Sequence, residues 1–125
     1  MSLQFVNLIR SGYNATGWEE GAMHIISREP FNHAAKQYPN EEAALDAVYK
    51  TLRRGSFNTP DDLKALFPSL DRMKYRAKWW VIDIGGNNLR MLFFASFDTQ
   101  KIFVKHIVCH AEYDKLMQLY QRNQE

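Results

Sequence analysis

From Met73 onward the hydrophobic period along the chain is two, and it is interrupted at "GGNN" (85–88) and "DTQK" (98–101). A period of two sends alternate side chains to opposite faces of an extended backbone. The pattern therefore predicts three strands, at about 73–84, 88–97 and 101–109. Connectors this short join strands that run in opposite directions, so the three form an antiparallel meander.

Upstream the spacing is helical. A short strand at 23–27 leads into "EPFNHAAKQYP", where Pro30 stands early and Pro39 ends the helix. Asn40 is placed to cap a second helix, in which Ala43, Ala44, Ala47, Val48 and Leu52 recur at helical spacing and Gly55 supplies the stop. Glu41 and Glu42 open that helix and Arg53 and Arg54 close it, which suits the helix dipole. The two helices are predicted as antiparallel neighbours. In "NTPDDLKALFPSLD" one short helix is expected, capped by Thr59, opened by Pro60 and ended by Pro68. A last amphipathic helix at 111–121 carries Tyr113, Leu116, Met117 and Tyr120 on one face. These elements predict an α+β fold, with helices packed on one face of a small, mostly antiparallel sheet and a helix at the C-terminus.

A chain of 125 residues is long enough for one core without disulfides or a metal. No apolar run reaches the ~20 residues that a membrane helix needs, so no membrane partner is expected. Cys109 is the single cysteine and the four histidines are scattered, so metal-ligand spacing is absent and no cofactor is implied. This cysteine usage favours a reduced, cytoplasmic setting. The net charge of +2 is small, and any case for nucleic acid depends on where the cations lie.

Residues 1–22 lack any persistent period, and Glu19–Glu20 could be encoded by a purine-rich run of the kind that precedes a bacterial start codon. The expectation is a domain spanning 23–125, preceded by an N-terminal extension that is either translated leader or a short native arm.

In "DRMKYRAKWW" the cations Arg72, Lys74, Arg76 and Lys78 fall on alternate positions, which on a strand would align them along one face. Such a stripe can hold an RNA backbone, and it can equally protect a sheet edge from pairing. Arg90 lies inside an apolar strand and needs either a carboxylate partner, Asp83 or Asp71, or an open cleft. Pairing Phe97 with Ile102 would put Arg90, Lys105 and Cys109 on one face and bring Arg90, Lys105 and His110 together at one end of the sheet. Two cations, a histidine and Tyr113 suit RNA cleavage through the internal 2′-hydroxyl. A base takes its proton, the oxygen attacks phosphorus, and an acid protonates the departing 5′-oxygen. Histidine can fill either role near neutral pH, and Tyr113 shares a helical face with His110. His106, within an apolar strand, reads as a core or sheet-face residue.

"FPSLD", "GGNNLR" and "VKHIVCHAEYDKL", in this order, closely resemble the HigB family of type II toxin–antitoxin toxins, within the RelE-like superfamily. The resemblance runs from Met23 to near the C-terminus. It implies a RelE-like fold and a metal-independent mRNA endonuclease that acts with the translating ribosome. It also implies a HigA-type helix-turn-helix antitoxin, through which alone DNA would be contacted. Gly85, Gly86, Asn87 and Arg90 match the family's turn and strand, which makes Asn87 an RNA-binding candidate beside Arg72, Lys74, Arg76 and Lys78. Lys105 stands where arginine is common, keeping the charge without the planar fork. His110, Glu112, Tyr113 and Asp114 match the last motif, but Cys109 replaces a threonine that would form a capping box with the glutamate. The resemblance supports His110, Arg90, Lys105 and Tyr113 as the catalytic set. The competing expectations are a topoisomerase poison of the ParE type on the same general fold and a catalytically inactive RNA-binding module.

Overall fold

The computed structural model describes His24–Ile25 and residues 27–123. The expected boundary at Met23 and the extension before it lie outside the described residues. In chain order the elements are β1 (His24–Ile25), α1 (Glu29–Gln37), α2 (Glu42–Arg54), α3 (Pro60–Leu66), β2 (Asp71–Arg72), β3 (Trp79–Ile84), β4 (Leu89–Ser96), β5 (Lys101–Cys109) and α4 (His110–Arg122). The fold is α+β, as its pattern of periods predicts.

Five strands form one sheet in the order β1-β5-β4-β3-β2, with β1 parallel to β5 and every other pair antiparallel. The alternation along β3 and β4 divides the side chains cleanly. Ile82, Ile84, Leu89, Met91 and Phe93 meet Phe31, Ala34, Leu45 and Leu52 from α1 and α2 in the main core. Each large apolar side chain fully buried there contributes about 1.5–3 kcal/mol. On the opposite face, Val81, Leu92 and Met73 are covered by Tyr113, Met117 and Tyr120 of α4. The sheet is thus sandwiched, with α1 and α2 below it and α4 above, so the helices occupy both faces and not the single face expected from the sequence.

Several local expectations hold in detail. Thr59 Oγ1 accepts the N–H of Asp62 at 3.3 Å and so caps α3, with Pro60 in its first turn. Trp80 enters the core, whereas Trp79 stays half-buried on the α4 side. Asn40 does not act as a cap: Pro39–Glu41 forms a 3-10 turn that runs straight into α2, whose N-cap is Glu41.

Two further expectations are corrected. The strand predicted from Met73 begins only at Trp79. Arg72 pairs with Trp80 and the Met73 N–H reaches the Trp79 carbonyl at 3.0 Å, so residues 74–78 form the loop of a hairpin. Lys78 leaves that loop with φ +66°. A tight loop anchored by Met73 and Tyr75 against α4 shows the same alternation of charge as a strand would. The register of β4 on β5 also differs. Ala95, not Phe97, faces Ile102, and an irregularity between Leu92 and Phe93 leaves Lys105 as the extra residue on β5. Arg90 therefore faces Val108 and the α4 side, while Cys109 turns toward the main core.

The "GGNN" turn closes β3 onto β4 with Gly85 at φ +67° and Gly86 at φ +75°. Gly86→Ala is expected to cost about 1–2 kcal/mol from left-handed backbone alone. Gly85→Ala is expected to cost more, because its Cβ would strike the Glu41 carboxylate that holds Asn88 Nδ2 at 3.0 Å. Urea denaturation of the two variants checks the difference; equal losses would show that the Glu41 contact contributes nothing.

Candidate functional site

β4 and β5 run side by side into the start of α4, and that junction gathers most of the candidate residues. Arg90 sits opposite Asp83 across β3 and β4, and its Nε donates to Asp83 Oδ1 at 3.2 Å. The face of the guanidinium lies 4.6 Å from the centre of the Tyr113 ring on α4. Arg90 is held from the side by a carboxylate and from one face by an aromatic ring, which orients it. Its two terminal nitrogens have no hydrogen-bond partner among the described residues, so the fork remains available for an anion.

His110 is the first residue of α4 and follows Cys109, which pairs with Leu89 next to Arg90. Its Nε2 is shielded from solvent and has no hydrogen-bond partner among the described residues. An orphaned buried polar atom of this kind costs about 1–3 kcal/mol. The N-cap Cys109 makes no side-chain capping bond, as expected for a thiol standing in place of a hydroxyl. The Glu112 N–H and then the Tyr38 hydroxyl favour its thiolate and hold the thiol below its ordinary value. The Tyr38 hydroxyl is pushed up chiefly by burial, and it accepts the Cys109 N–H at 3.2 Å.

Lys105 does not join Arg90. As the extra residue on β5 it lies about 10 Å along the strand from Val108, Arg90's partner. It is exposed, and its Nζ stands 5.4 Å from the Trp79 ring centre. Beside it His106 is half-buried, with Nε2 2.9 Å from the Tyr120 hydroxyl. Burial, and then the Lys105 charge, hold the His106 pKa below 6.5.

The four cations expected in a stripe are dispersed. Arg72 lies over Trp80 at 5.0 Å, Arg76 lies over Tyr120 at 4.7 Å and reaches the Asn123 carbonyl at 3.3 Å, and Lys74 and Lys78 are exposed in the hairpin loop. No single face carries all four, because only Arg72 is on a strand. Asn87 is exposed in the turn beside the same end of the sheet as His110. Sequence reasoning missed the Arg90–Tyr113 and Lys105–Trp79 stacks, which depend on how α4 and the bulge are seated. Among the described residues no group of three or more His, Cys, Asp or Glu could hold a metal ion, and no helix is long and apolar enough to cross a membrane.

The geometry is matched by relationship. A family model described as HigB_toxin, the RelE-like toxic component of a toxin–antitoxin system, matches residues 41–116. An mRNA interferase HigB of Escherichia coli O6:H1 is 48% identical over 103 residues, covering 82% of this chain and 100% of the relative. The mRNA interferase toxin HigB of Escherichia coli K12 is 40% identical over 92 residues, 74% of this chain and 88% of the relative, and the same figures hold for an mRNA interferase HigB of Shigella flexneri.

Because the fold favours neutral His106, the unfolded chain takes up its proton first. This contribution is fully present above pH 6.5 and is lost as pH falls from there through the lowered native pKa. His106→Gln is expected to flatten the fall in urea midpoint over that window, and an unchanged slope would assign the acid sensitivity elsewhere. Cys109→Thr should restore the missing cap and raise stability by about 1 kcal/mol; thermal unfolding reads the gain, and a loss would mean that the thiol's contact with Tyr38 matters more.

Proposed function

The chain belongs to the HigB family of toxins from toxin–antitoxin systems, and on that footing we propose that it is an mRNA endonuclease that acts with the translating ribosome and cleaves by 2′-hydroxyl attack. The reading rests on one observation above all: His110 keeps a buried ring nitrogen without a partner among the described residues, at the end of the sheet where Arg90 is oriented by Asp83 and Tyr113 with its terminal nitrogens unpaired among the described residues. A buried nitrogen of this kind calls for a partner, and a reacting RNA oxygen is the one that this reading supplies.

In the proposed reaction RNA supplies its own nucleophile. A base removes the 2′-hydroxyl proton, the oxygen bonds to phosphorus, the bond to the 5′-oxygen breaks, and an acid returns a proton to that oxygen. The products are a 2′,3′-cyclic phosphate and a 5′-hydroxyl. His110 carries one of the two proton transfers. Its nitrogen is closed off in the free protein, so the ring turns outward when RNA docks. Arg90 meets the charge that develops on the phosphoryl oxygens. Tyr113 positions Arg90 by stacking, and Asp83 fixes its long axis. Lys105, farther along β5, acts on a neighbouring phosphate of the bound strand. Arg72, Lys74, Arg76, Lys78 and Asn87 provide additional RNA contacts at the rim.

As a toxin of this family the protein has an antitoxin as partner. We assign it a HigA-type helix-turn-helix antitoxin, with DNA reached only through it, and a cytoplasmic site of action on ribosomes and message.

Tight induction of the full chain, with mapping of new 5′ ends in cellular mRNA, tests the reading. His110→Ala is expected to reduce cleavage within translated frames by about a hundredfold or more, and Arg90→Ala by a similar factor. Intact message with continued growth arrest would overturn the nuclease and favour a topoisomerase poison.

A further inference from the structure

One surface of the sheet is left over once the proposed site is accounted for. On the α4 side, Trp79 pairs directly with Phe94, and Phe94 pairs directly with Phe103. Three aromatic residues therefore form a row across three adjacent strands. The Phe94 and Phe103 rings are 5.7 Å apart, and Tyr120 meets Trp79 edge-on at 5.5 Å and closes one end of the row. The rest of α4 covers Val81 and Leu92 instead. Phe103 is 36% exposed, unusual for a phenylalanine in mid-strand.

The charge around the row has one sign. Lys105 stands over Trp79, Lys101 precedes Phe103 by two residues on the same strand face, and Lys78 precedes Trp79. None of the three forms an ion pair among the described residues. The carboxylate on this face of β3–β5, Asp83, is committed to Arg90. An apolar protein partner would be served by the rings alone. An exposed Phe103 ring, with half-buried Phe94 and Trp79 beside it and unpaired lysines at the fringe, fits a ligand with flat π faces on a polyanionic backbone.

We propose that Trp79, Phe94 and Phe103 are a base-stacking platform for single-stranded RNA, holding the nucleotides next to the scissile bond while the lysines take their phosphates. The proposal rests on the RNA-cleaving reading above and extends it. Arg90 and Phe94 lie on the same strand face about 13 Å apart, a distance that a short run of nucleotides spans. The site thus has two parts, a charged end that reacts and an aromatic stretch that grips. Stacking discriminates weakly among bases, so the platform sets affinity and register more than sequence choice.

Phe103 is the residue to test, since its exposure makes it replaceable without loss of fold. The probe is a single-stranded RNA decamer that carries 2-aminopurine and is 2′-O-methylated throughout, so that it cannot be cleaved. The wild-type chain is expected to quench its fluorescence on binding. Phe103→Ala and Phe103→Leu should each weaken binding about tenfold, while Phe103→Trp restores it. In message cleavage on ribosomes, both weak variants should raise KM and leave kcat within about twofold, as for a lost uniform binding contact. Wild-type affinity in Phe103→Leu would overturn the platform, because an aliphatic side chain cannot stack. So would a loss confined to antitoxin binding or to self-association. A wild-type chain that quenches the probe but never cleaves message would instead overturn the nuclease and leave the platform standing.

Discussion

The pairing of β4 with its two neighbours is the constraint on which the site depends. Asp83, Arg90 and Val108 lie across three strands in one line, and four steps along β4 Trp79, Phe94 and Phe103 form a second line. Between the lines, the extra residue at Lys105 shifts β5 by one position. Without that shift the strand would present Ile107 where Val108 now lies, since a slip of one residue exchanges the two faces. Both lines face α4, so one helix docking against one face of the sheet settles the surroundings of Arg90 and Trp79 together.

The electrostatics of the junction follow from that seating. Arg90 sits between a carboxylate and a ring, which fixes its direction and leaves its terminal nitrogens open. His110 stands where a strand becomes a helix with no intervening residues, a place where a side chain has few neighbours to choose from. A hydroxyl at position 109 would close the helix end in the usual way. The neutral thiol makes no such bond, and the Glu112 amide at the third helical position favours only its ionised form.

Period and punctuation made much of the fold legible. β4, β5, α3 and α4 fall within a residue or two of where alternation, proline and capping residues place them. Segment 73–78 was not legible, because a hairpin loop tethered by Met73 and Tyr75 alternates polar and apolar residues just as a strand does. The bulge at Lys105 was not legible either, since no glycine marks it and the polar pair Lys105–His106 does not say which of its two residues is the extra one. Among the site residues, Asp83 as the partner of Arg90 could be read from the chain as one of two carboxylates in reach. The stacking of Tyr113 on Arg90 could not, because it depends on the angle at which α4 crosses the sheet.

The parallel pairing of β1 with the start of β5 joins residues 24–25 to residues 101–102. The three hairpins that build β2 to β5 need only neighbouring sequence, whereas β1 has no partner strand until the chain has been made almost to its last helix. Contacts between distant residues form late, after the entropy of closing the intervening loop has been overcome. On a growing chain, Asp83 and Arg90 can therefore meet well before the ring of Tyr113 exists to fix them. For the site residues the order of synthesis is then also the order of assembly, the cation first and the histidine and its aromatic neighbour next, whereas β1, made earliest, joins the sheet edge last.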